Sequence, residues 1–421
     1  MAESHPIAGP RLLVLSSLFP SPLRPTAGVF IRERMFRVAA HLPIVVVSPQ
    51  AWFPGQGLIR ALRPGYRPSA PRREQQQGIT VYRPRFLAIP GMLRWLDGFS
   101  MGVCCYFTAR RLRQQLGINL IDAHFAYPDG EAAMWLGRWL DLPVTITLRG
   151  TEVRHNRQAQ LRRRMTKALC AASRVFSVSD SLRQLALSLG VPDDKTQVIG
   201  NGVDLECFQR MNPHEARQKL GLPLQAKLLI SVGALVERKG MHRVIDCLPD
   251  LLKSHPDLHY VVVGGASPEG DIRAALDAQV ARLGLTERVH FLGSLAPHAL
   301  KWPLSAADVF VLATRNEGWA NVFLEAMACG VPVVTTDVGG NAEVVCRAEL
   351  GSIVPFGDPA ALQAALHDAL NHPWDRNALR AYAMANGWDD RVTTLVREFY
   401  RLVAAHTHSS ACAGKIAGIK S

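Results

Sequence analysis

The chain has 421 residues, 48% of them hydrophobic and 20% charged, with a formal net charge of +13 at pH 7. That length exceeds one ordinary hydrophobic core and predicts two domains. The composition excludes a disordered, a collagen-like or a coiled-coil chain. Taken in chain order, Arg11–Leu18 reads as a first strand, and Gly28–Leu42 follows with helical spacing. Ile44–Ser48, Ile79–Arg83, Leu120–Ala123, Val144–Leu148 and Val175–Ser179 read as further strands, with helices such as Arg157–Ala172 between most of them. After residue 225 the rhythm restarts with Leu228–Val232, His259–Val263, Val289–Leu292, Val309–Leu312 and Val331–Thr335. Helical stretches intervene at Arg243–Lys253, Arg273–Leu283, Asn321–Cys329 and Pro359–Leu370. Strand–helix alternation of this kind predicts an α/β chain with parallel sheets covered by helices. Two such series predict two Rossmann-like domains, with the boundary near the turn-forming Gly200–Asn201–Gly202.

The longest uncharged apolar runs, such as Leu12 to Phe19 and Leu42 to Val47, are strand-sized, so no membrane span is expected. Glu3 precedes the first basic residue, Arg11, and the apolar run after it is short, so no signal peptide is expected either. The eight cysteines show neither C-x-x-C nor framework spacing and read as reduced thiols of a cytosolic protein. No Cys/His cluster has zinc-ligand spacing, and no metal site is expected.

The charge is unevenly placed. Up to residue 210 there are 28 basic and 14 acidic side chains; beyond it, 20 and 21. A basic first half attracts membrane lipid, nucleic acid or a phosphorylated substrate, or is simply a solvated face. Residues 51–100 break the strand–helix rhythm. Trp52, Phe53, Tyr66, Tyr82, Phe86 and Trp95 alternate there with Arg60, Arg63, Arg67, Arg72, Arg73, Arg83, Arg85 and Arg94, against only Glu74 and Asp97. That interleaving suits a membrane interface, single-stranded nucleic acid, or an insertion loop covering the domain.

Thr314 to Val334 is the most informative stretch. A buried strand, Val309–Leu312, leads into a loop with Glu317 and Gly318; a helix begins near Asn321 and stops at Gly330. Ligands of parallel sheets bind at the carboxyl ends of strands, and the amides around Ala320–Phe323 favour a phosphate. Glu317 and Glu325 are acceptors suited to the hydroxyls of a sugar or ribose. In the first half, Asp122-Ala-His124 ends a buried strand, and His124 is expected to face a cleft; a histidine at a strand end is otherwise structural. Gly28 opens a helix after a Pro-rich loop, where only glycine lets the backbone approach a ligand closely.

The pattern from Glu317-Gly-Trp through Glu325-Ala-Met-Ala-Cys-Gly330-Val-Pro-Val-Val resembles the donor-binding signature of the family-4 retaining glycosyltransferases, of GT-B fold. The resemblance covers most of the chain. Asn201-Gly-Val-Asp204 with Phe208, Ser231-Val-Gly233 with Arg238-Lys239-Gly240, Val261–Gly265, Gly339-Gly340-Asn-Ala-Glu343, and Trp388 with Phe399 and Tyr400 are each similar to segments of that family. It implies two Rossmann-like domains facing across a cleft, closing about Gly200–Asp204. The domains would be 1–200 on the acceptor side, 201–375 for the nucleotide sugar, and 376–405 as helix packing back on the first domain, before a flexible tail, 406–421.

The resemblance also implies roles for site residues. Lys239 and Arg238 would neutralise the departing diphosphate beside Gly233. Glu325 would hold the ribose. Glu317, with the amides after Gly318 at Asn321 and Val322, would hold donor-sugar hydroxyls, and Gly293-Ser294-Leu295 would line the base. His124 would contact the donor sugar or support the transition state. Gly28 and Arg149 would serve the acceptor, Arg149 meeting an acidic or phosphorylated one. Many relatives carry Arg where this chain has Ala234, and Arg238 is the substitute.

The implied reaction moves a glycosyl group from a UDP- or GDP-linked sugar to a lipid-diphosphate-linked or glycan acceptor, with retention and without a metal or other cofactor. Peripheral attachment to the anionic cytoplasmic leaflet, in envelope or exopolysaccharide synthesis, follows from the basic first half. An epimerase or hydrolase of the same fold, a catalytically dead partner subunit, and a nucleic-acid-binding protein are the rival readings. The last lacks any helix-turn-helix, RNP or zinc signature.

Overall fold

The computed structural model describes residues 9–25, 27–62, 66, 70–89, 91–267 and 269–417. Glu3, Arg63, Arg67 and residues 418–421, all used above, lie outside the described residues. The chain divides into two compact units, Met1–Asn201 with Asp389–Ser421, and Gly202–Trp388.

The first unit is built on an eight-stranded sheet. Its strands are β1 (Leu12–Leu15), β2 (Ile44–Val47), β4 (Arg73–Gln76), β5 (Ile79–Tyr82), β7 (Leu120–His124), β8 (Val144–Leu148), β9 (Arg174–Ser177) and β10 (Thr196–Val198). The order is β10-β9-β8-β7-β1-β2-β5-β4, parallel throughout except that β4 runs antiparallel to β5. β1, β7 and β8 are buried at every position, the continuous apolar run of strands covered on both faces. A two-stranded parallel ribbon pairs β3 (Gln50–Trp52) with β6 (Arg85–Leu87). Helices α1 (Val29–Ala39), α2 (Gln56–Leu62), α3 (Asp97–Leu116) and α4 (Glu131–Leu140) belong to the same unit.

Residues 51–100 therefore do not form an irregular insertion. They carry the ribbon, α2, an antiparallel edge hairpin and the first turn of α3. The helix α3 escaped the sequence reading because apolar residues fall on more than one of its faces, which blurs the 3.6-residue period. It ends at Gly117, whose φ of 67° makes an ordinary left-handed stop.

The second unit holds β11 (Lys227–Val232), β12 (Leu258–Val263), β13 (Val289–Gly293), β14 (Val309–Leu312), β15 (Val333–Thr336) and β16 (Gly351–Val354). All are parallel, in the order β13-β12-β11-β14-β15-β16. This is the doubly wound order, in which the direction of winding reverses between the first and fourth strands. Its helices start on cues legible in the sequence. Asn212 before Pro213, Asp358 before Pro359 and Asp375 before Arg376 each accept from the first-turn amides.

The C-terminal segment departs from expectation twice. The helix Arg376–Ala385 packs Leu379 and Ala383 into the core of the second unit, not the first, because its apolar face meets the helix Asn321–Ala328. The last helix, Trp388–Ala417, continues well past residue 406, where a flexible tail was expected. From Asp389 onward it belongs to the first unit: Phe399 lies edge-on to Phe176 at 6.2 Å, and Glu398 pairs with Arg174 at 3.3 Å.

Candidate functional site

In the second unit the winding reverses between β11 and β14. The loops leaving their carboxyl ends, 233–240 and 313–320, lie side by side. The amide of Arg315 donates to the carbonyl of Arg238 at 2.9 Å, and the Thr314 hydroxyl donates to the same carbonyl at 3.1 Å. This stitching brings three expected residues together. Lys239 Nζ lies 2.6 Å from Glu317 Oε1, and Arg238 Nη1 lies 3.2 Å from the same oxygen. Thr314 Oγ1 lies 3.3 Å from the same oxygen. The Lys239 side chain is 15% exposed and that of Glu317 11%, enough to leave an entering ligand access to both.

Gly339 fixes the Glu317 loop from the other side. Its φ is +57°, and a Cβ there would stand 1.7 Å from the Glu317 carbonyl oxygen. The double glycine of the sequence thus has a local cause: no other residue lets the two backbones approach so closely.

Arg238 was expected to supply the phosphate charge that Ala234 does not. Its guanidinium is already shared: Nε and Nη2 bond Glu269 at 3.0 and 3.1 Å, and Nη1 bonds the Asn316 carbonyl and Glu317. Lys239 is therefore the more available cation, and Arg238 holds Glu317 and the 314–317 loop in position. Glu269 and Thr314 were missed by sequence reasoning. Both are single polar residues in loops without periodicity, so only the folded loops reveal them.

The helix Asn321–Ala328 starts beside this cluster, and Ala320 at its N-cap has no side chain that could cap it. Its first amides present donors and the positive end of the helix dipole at the strand ends. Gly318 lies half-buried in the approach loop, Val322 packs on the core edge, and Glu325 stands one turn inside the helix. Among the described residues the Glu325 carboxyl takes no hydrogen bond. Desolvation, with the nearby Asp204 carboxylate, pushes it up to about 7. Gly293 closes β13 with φ 70°, and Leu295 follows at the core edge, on the β11 side of the reversal.

The first unit has its own reversal, between β1 and β7, and here the outcome differs. His124 is wholly buried, not facing open space. Its Nδ1 accepts from Arg149 Nε at 3.2 Å, and its Nε2 lies 3.5 Å from Asp122 Oδ2. Burial, then the Arg149 and Arg34 charges, hold the imidazole well below its ordinary pKa, so it is neutral. Arg149 is turned inward as well: it is 9% exposed, bonds Asn201 Oδ1 at 3.2 Å and lies over the Phe30 ring at 5.1 Å. Gly28 has a left-handed backbone, φ 71°, and a Cβ there would stand 2.4 Å from the Leu18 carbonyl oxygen.

Around these residues lies a buried polar frame that sequence reading did not find. Arg34 Nη2 donates to the carbonyls of Ile199 and Gly200 at 2.6 and 2.8 Å. Glu152 accepts from the amides of Ala126, Arg149 and Gly150. Asp129 accepts from the Ser17 amide and, at 2.9 Å, its hydroxyl. Burial raises Asp129 to about 7 and Asp122 to about 6. A cavity of about 350 Å³ opens beside Ser17, lined by Phe19, Arg24, Trp52, Gln56 and Arg85 among others. Arg24 and Arg85 are exposed at its walls.

The comparisons with known proteins agree with this architecture. Residues 213–385 match the family model described as glycosyl transferases group 1, and residues 56–207 match glycosyltransferase family 4. A glycosyltransferase of Bacillus subtilis (strain 168), provisionally assigned to teichuronic acid biosynthesis, is 32% identical over 339 residues, covering 78% of this chain and 82% of its own. The chain belongs to glycosyltransferase family 4. Two solved structures share the fold of this family-4 protein. Sucrose-phosphate synthase from Thermosynechococcus elongatus superposes with a TM-score of 0.75 at 23% identity, covering 94% of this chain and all of its own. HepE of Anabaena, solved in complex with UDP, gives 0.68 at 21% identity, over 95% of this chain and all of its own. The family-4 chain thus has the GT-B fold, and among its described residues no helix is long and apolar enough to cross a membrane.

Proposed function

We propose that this glycosyltransferase moves a sugar from a UDP- or GDP-linked donor to a lipid-diphosphate-linked or oligosaccharide acceptor, with retention of configuration, in envelope or exopolysaccharide synthesis. The observation that carries the donor half is the Lys239–Glu317–Arg238 cluster under an uncapped helix start at the reversal of a doubly wound sheet. A diphosphate entering there meets the Lys239 ammonium and the Asn321 and Val322 amides. Lys239 exchanges Glu317 for phosphate oxygen, which frees the carboxylate to accept from sugar hydroxyls. Glu325, desolvated and without a hydrogen bond among the described residues, suits the paired hydroxyls of a ribose. Gly293 and Leu295 border the space for a base. The UDP bound by HepE is consistent with this class of donor.

In the transfer step the acceptor oxygen bonds the anomeric carbon as the bond to the diphosphate breaks. The acceptor proton passes to the departing phosphate oxygen on the same face. Lys239 stabilises the charge that develops on that phosphate, so no metal is required. With donor bound, Glu317 keeps its Arg238 contact and accepts from sugar hydroxyls, which makes it a weak nucleophile and disfavours a covalent glycosyl-enzyme route. His124, neutral and internal, positions Arg149 and the strand end, not the sugar directly.

On the acceptor side, the cavity beside Ser17 offers exposed Arg24 and Arg85 with Trp52 and Phe19, which suits a phosphorylated acceptor with an apolar portion. The strongly basic first half supports attachment to an anionic membrane surface, where such an acceptor resides. The test is a thermal-shift panel of UDP-, GDP- and ADP-sugars, followed by NMR of the product's anomeric configuration with the donor that stabilises. No stabilisation by any nucleotide sugar, or an inverted product, overturns the reading.

A further inference from the structure

Large apolar side chains left exposed are concentrated in one region of the molecule. Seventeen of the twenty among the described residues belong to the first unit, and eleven of those fall between Trp52 and Phe107. Scattered singly they would need no explanation, but Trp52, Leu87, Phe99, Val103, Phe107 and Trp139 form a connected strip. On α3, Phe99, Val103 and Phe107 follow one another at four-residue intervals and are 39%, 43% and 76% exposed. The opposite side of the same helix buries Met101, Cys105, Ala109 and Leu112. A helix with a second apolar stripe has a second partner to meet.

Neighbouring elements extend the stripe. Phe99 lies edge-on to Trp139 of α4 at 6.3 Å, and Tyr106 bridges Trp139 and Phe107 at 5.9 and 5.5 Å. At the other end the Ser100 hydroxyl donates to the Leu87 carbonyl at 2.8 Å, which seats the ribbon against the first turn of α3. Leu87 is paired in register with Trp52, so both exposed side chains share one side of that ribbon. The strip thus runs Trp52–Leu87–Phe99–Val103–Phe107, with Trp139 alongside.

Its border is cationic. Arg138 and Lys167 stand over the Trp135 ring at 5.6 and 5.0 Å. Arg110 and Arg111 are exposed one turn beyond Phe107, and Arg85 and Arg94 are exposed at the ribbon end. Between residues 70 and 120 the only acids are Glu74 and Asp97. A second copy of the chain would bring the same cations face to face. An anionic lipid surface offers the complementary charge, and aromatic rings ringed by Arg and Lys suit the headgroup depth of a bilayer.

We propose that the Phe99–Val103–Phe107 face of α3, with Trp139 and the Trp52–Leu87 ribbon edge, is the surface that inserts into an anionic bilayer. This rests on the membrane attachment proposed above and names the element that performs it.

The test is flotation of the full chain with vesicles of phosphatidylcholine containing about a third phosphatidylglycerol, at low and high salt. Wild type is expected to float with these vesicles at low salt and to be released in part by salt. A Val103→Ser/Phe107→Ser variant, altered only at exposed positions, is expected to lose roughly tenfold or more of its partition. It should keep the wild-type UDP- or GDP-induced thermal shift, which reports an intact fold. Arg110→Ser/Arg111→Ser is expected to lose less and to be less salt-sensitive. If wild type floats with no vesicle, both the attachment and this assignment fall. If wild type floats and Val103→Ser/Phe107→Ser floats equally, the assignment alone falls. Loss confined to a Leu58→Ser/Leu62→Ser variant would move docking to α2 and overturn it likewise. A wild-type dimer in light scattering that Val103→Ser/Phe107→Ser converts to monomer, with flotation unchanged, would make the occupant a second copy.

Discussion

The two sheet reversals of this protein occupy equivalent places in similar topologies, yet they hold their polar residues in opposite ways. At the β11/β14 reversal, Lys239, Arg238 and Glu317 sit in loops, partly exposed, and bond one another through contacts a ligand can replace. At the β1/β7 reversal, His124, Asp129, Glu152 and Arg34 are all fully buried and bond backbone or each other. Parallel strands end together at both places, which gathers polar groups in each. Solvent access then decides whether the gathered groups bind a ligand or brace the frame. The difference teaches that position in a doubly wound sheet nominates a site, while exposure assigns its work.

The largest effect that would break this contrast is at Lys239. Lys239→Ala is expected to lower the rate of glycosyl transfer by about 10²–10³-fold, since it removes the charge opposite the leaving phosphate. The denaturation midpoint should stay near wild type, because the side chain is partly exposed. Steady-state transfer assays with the donor found by thermal shift, together with a denaturant titration, measure both; a rate within a few-fold of wild type defeats the donor-site reading.

The braced reversal should respond the other way. Arg34→Met strips the Ile199 and Gly200 carbonyls of a buried charged donor and is expected to cost ~2–4 kcal/mol of stability. Urea unfolding followed by circular dichroism measures it. A loss below about 0.5 kcal/mol would show that the frame is not a frame.

A pH experiment sharpens the same point. Asp129 is raised to about 7 by burial, so the folded state holds a proton that the unfolded state has released above pH 4. Its contribution to stability therefore falls as pH rises from about 4 to about 7. Asp129→Asn is expected to gain on wild type across that window by on the order of 2 kcal/mol, read as the difference between their two pH profiles. Parallel profiles would remove the claim of a desolvated, protonated Asp129.

The smallest effect is at Glu325, where the same chemistry serves the open reversal. Its carboxyl is raised to about 7, and in the proposed donor site the hydroxyls of a bound ribose would stabilise the charged form. Nucleotide affinity should therefore rise with pH through 7, by up to about tenfold between pH 6 and 8, in excess of the change seen for Glu325→Gln. Calorimetric titration with UDP or GDP across that range tests it; identical slopes for wild type and Glu325→Gln would sever Glu325 from the nucleotide.

Much of the donor region was legible before folding. Glu317, Asn321, Gly330 and Pro332 follow a strand–loop–helix–strand grammar in which each signal is local, and the structure places Val309–Leu312 and Asn321–Ala328 accordingly. The surroundings of the residues expected on the acceptor side were not legible, for the opposite reason. His124 and Arg149 look alike from the sequence whether they face a ligand or an interior, and their surroundings include Arg34, Asp122 and Asn201, with the Arg34 bonds spanning up to 167 residues. The helix α3 was overlooked because its two apolar stripes belong to two surroundings, a core and an open face.

Local rules of the chain thus specified the two strand–helix series, the helix starts at Asn212, Asp358 and Asp375, the concentration of charge in the first half, and the family. They act within a few residues, through capping, φ preference and apolar period. The exchange network joining Lys239 to Glu317 and Arg238 to Glu269, the inward turn of His124 and Arg149, and the exposed stripe on α3 came only with the tertiary structure. Those depend on loops from distant strands meeting, and on which polar groups lose water when they do.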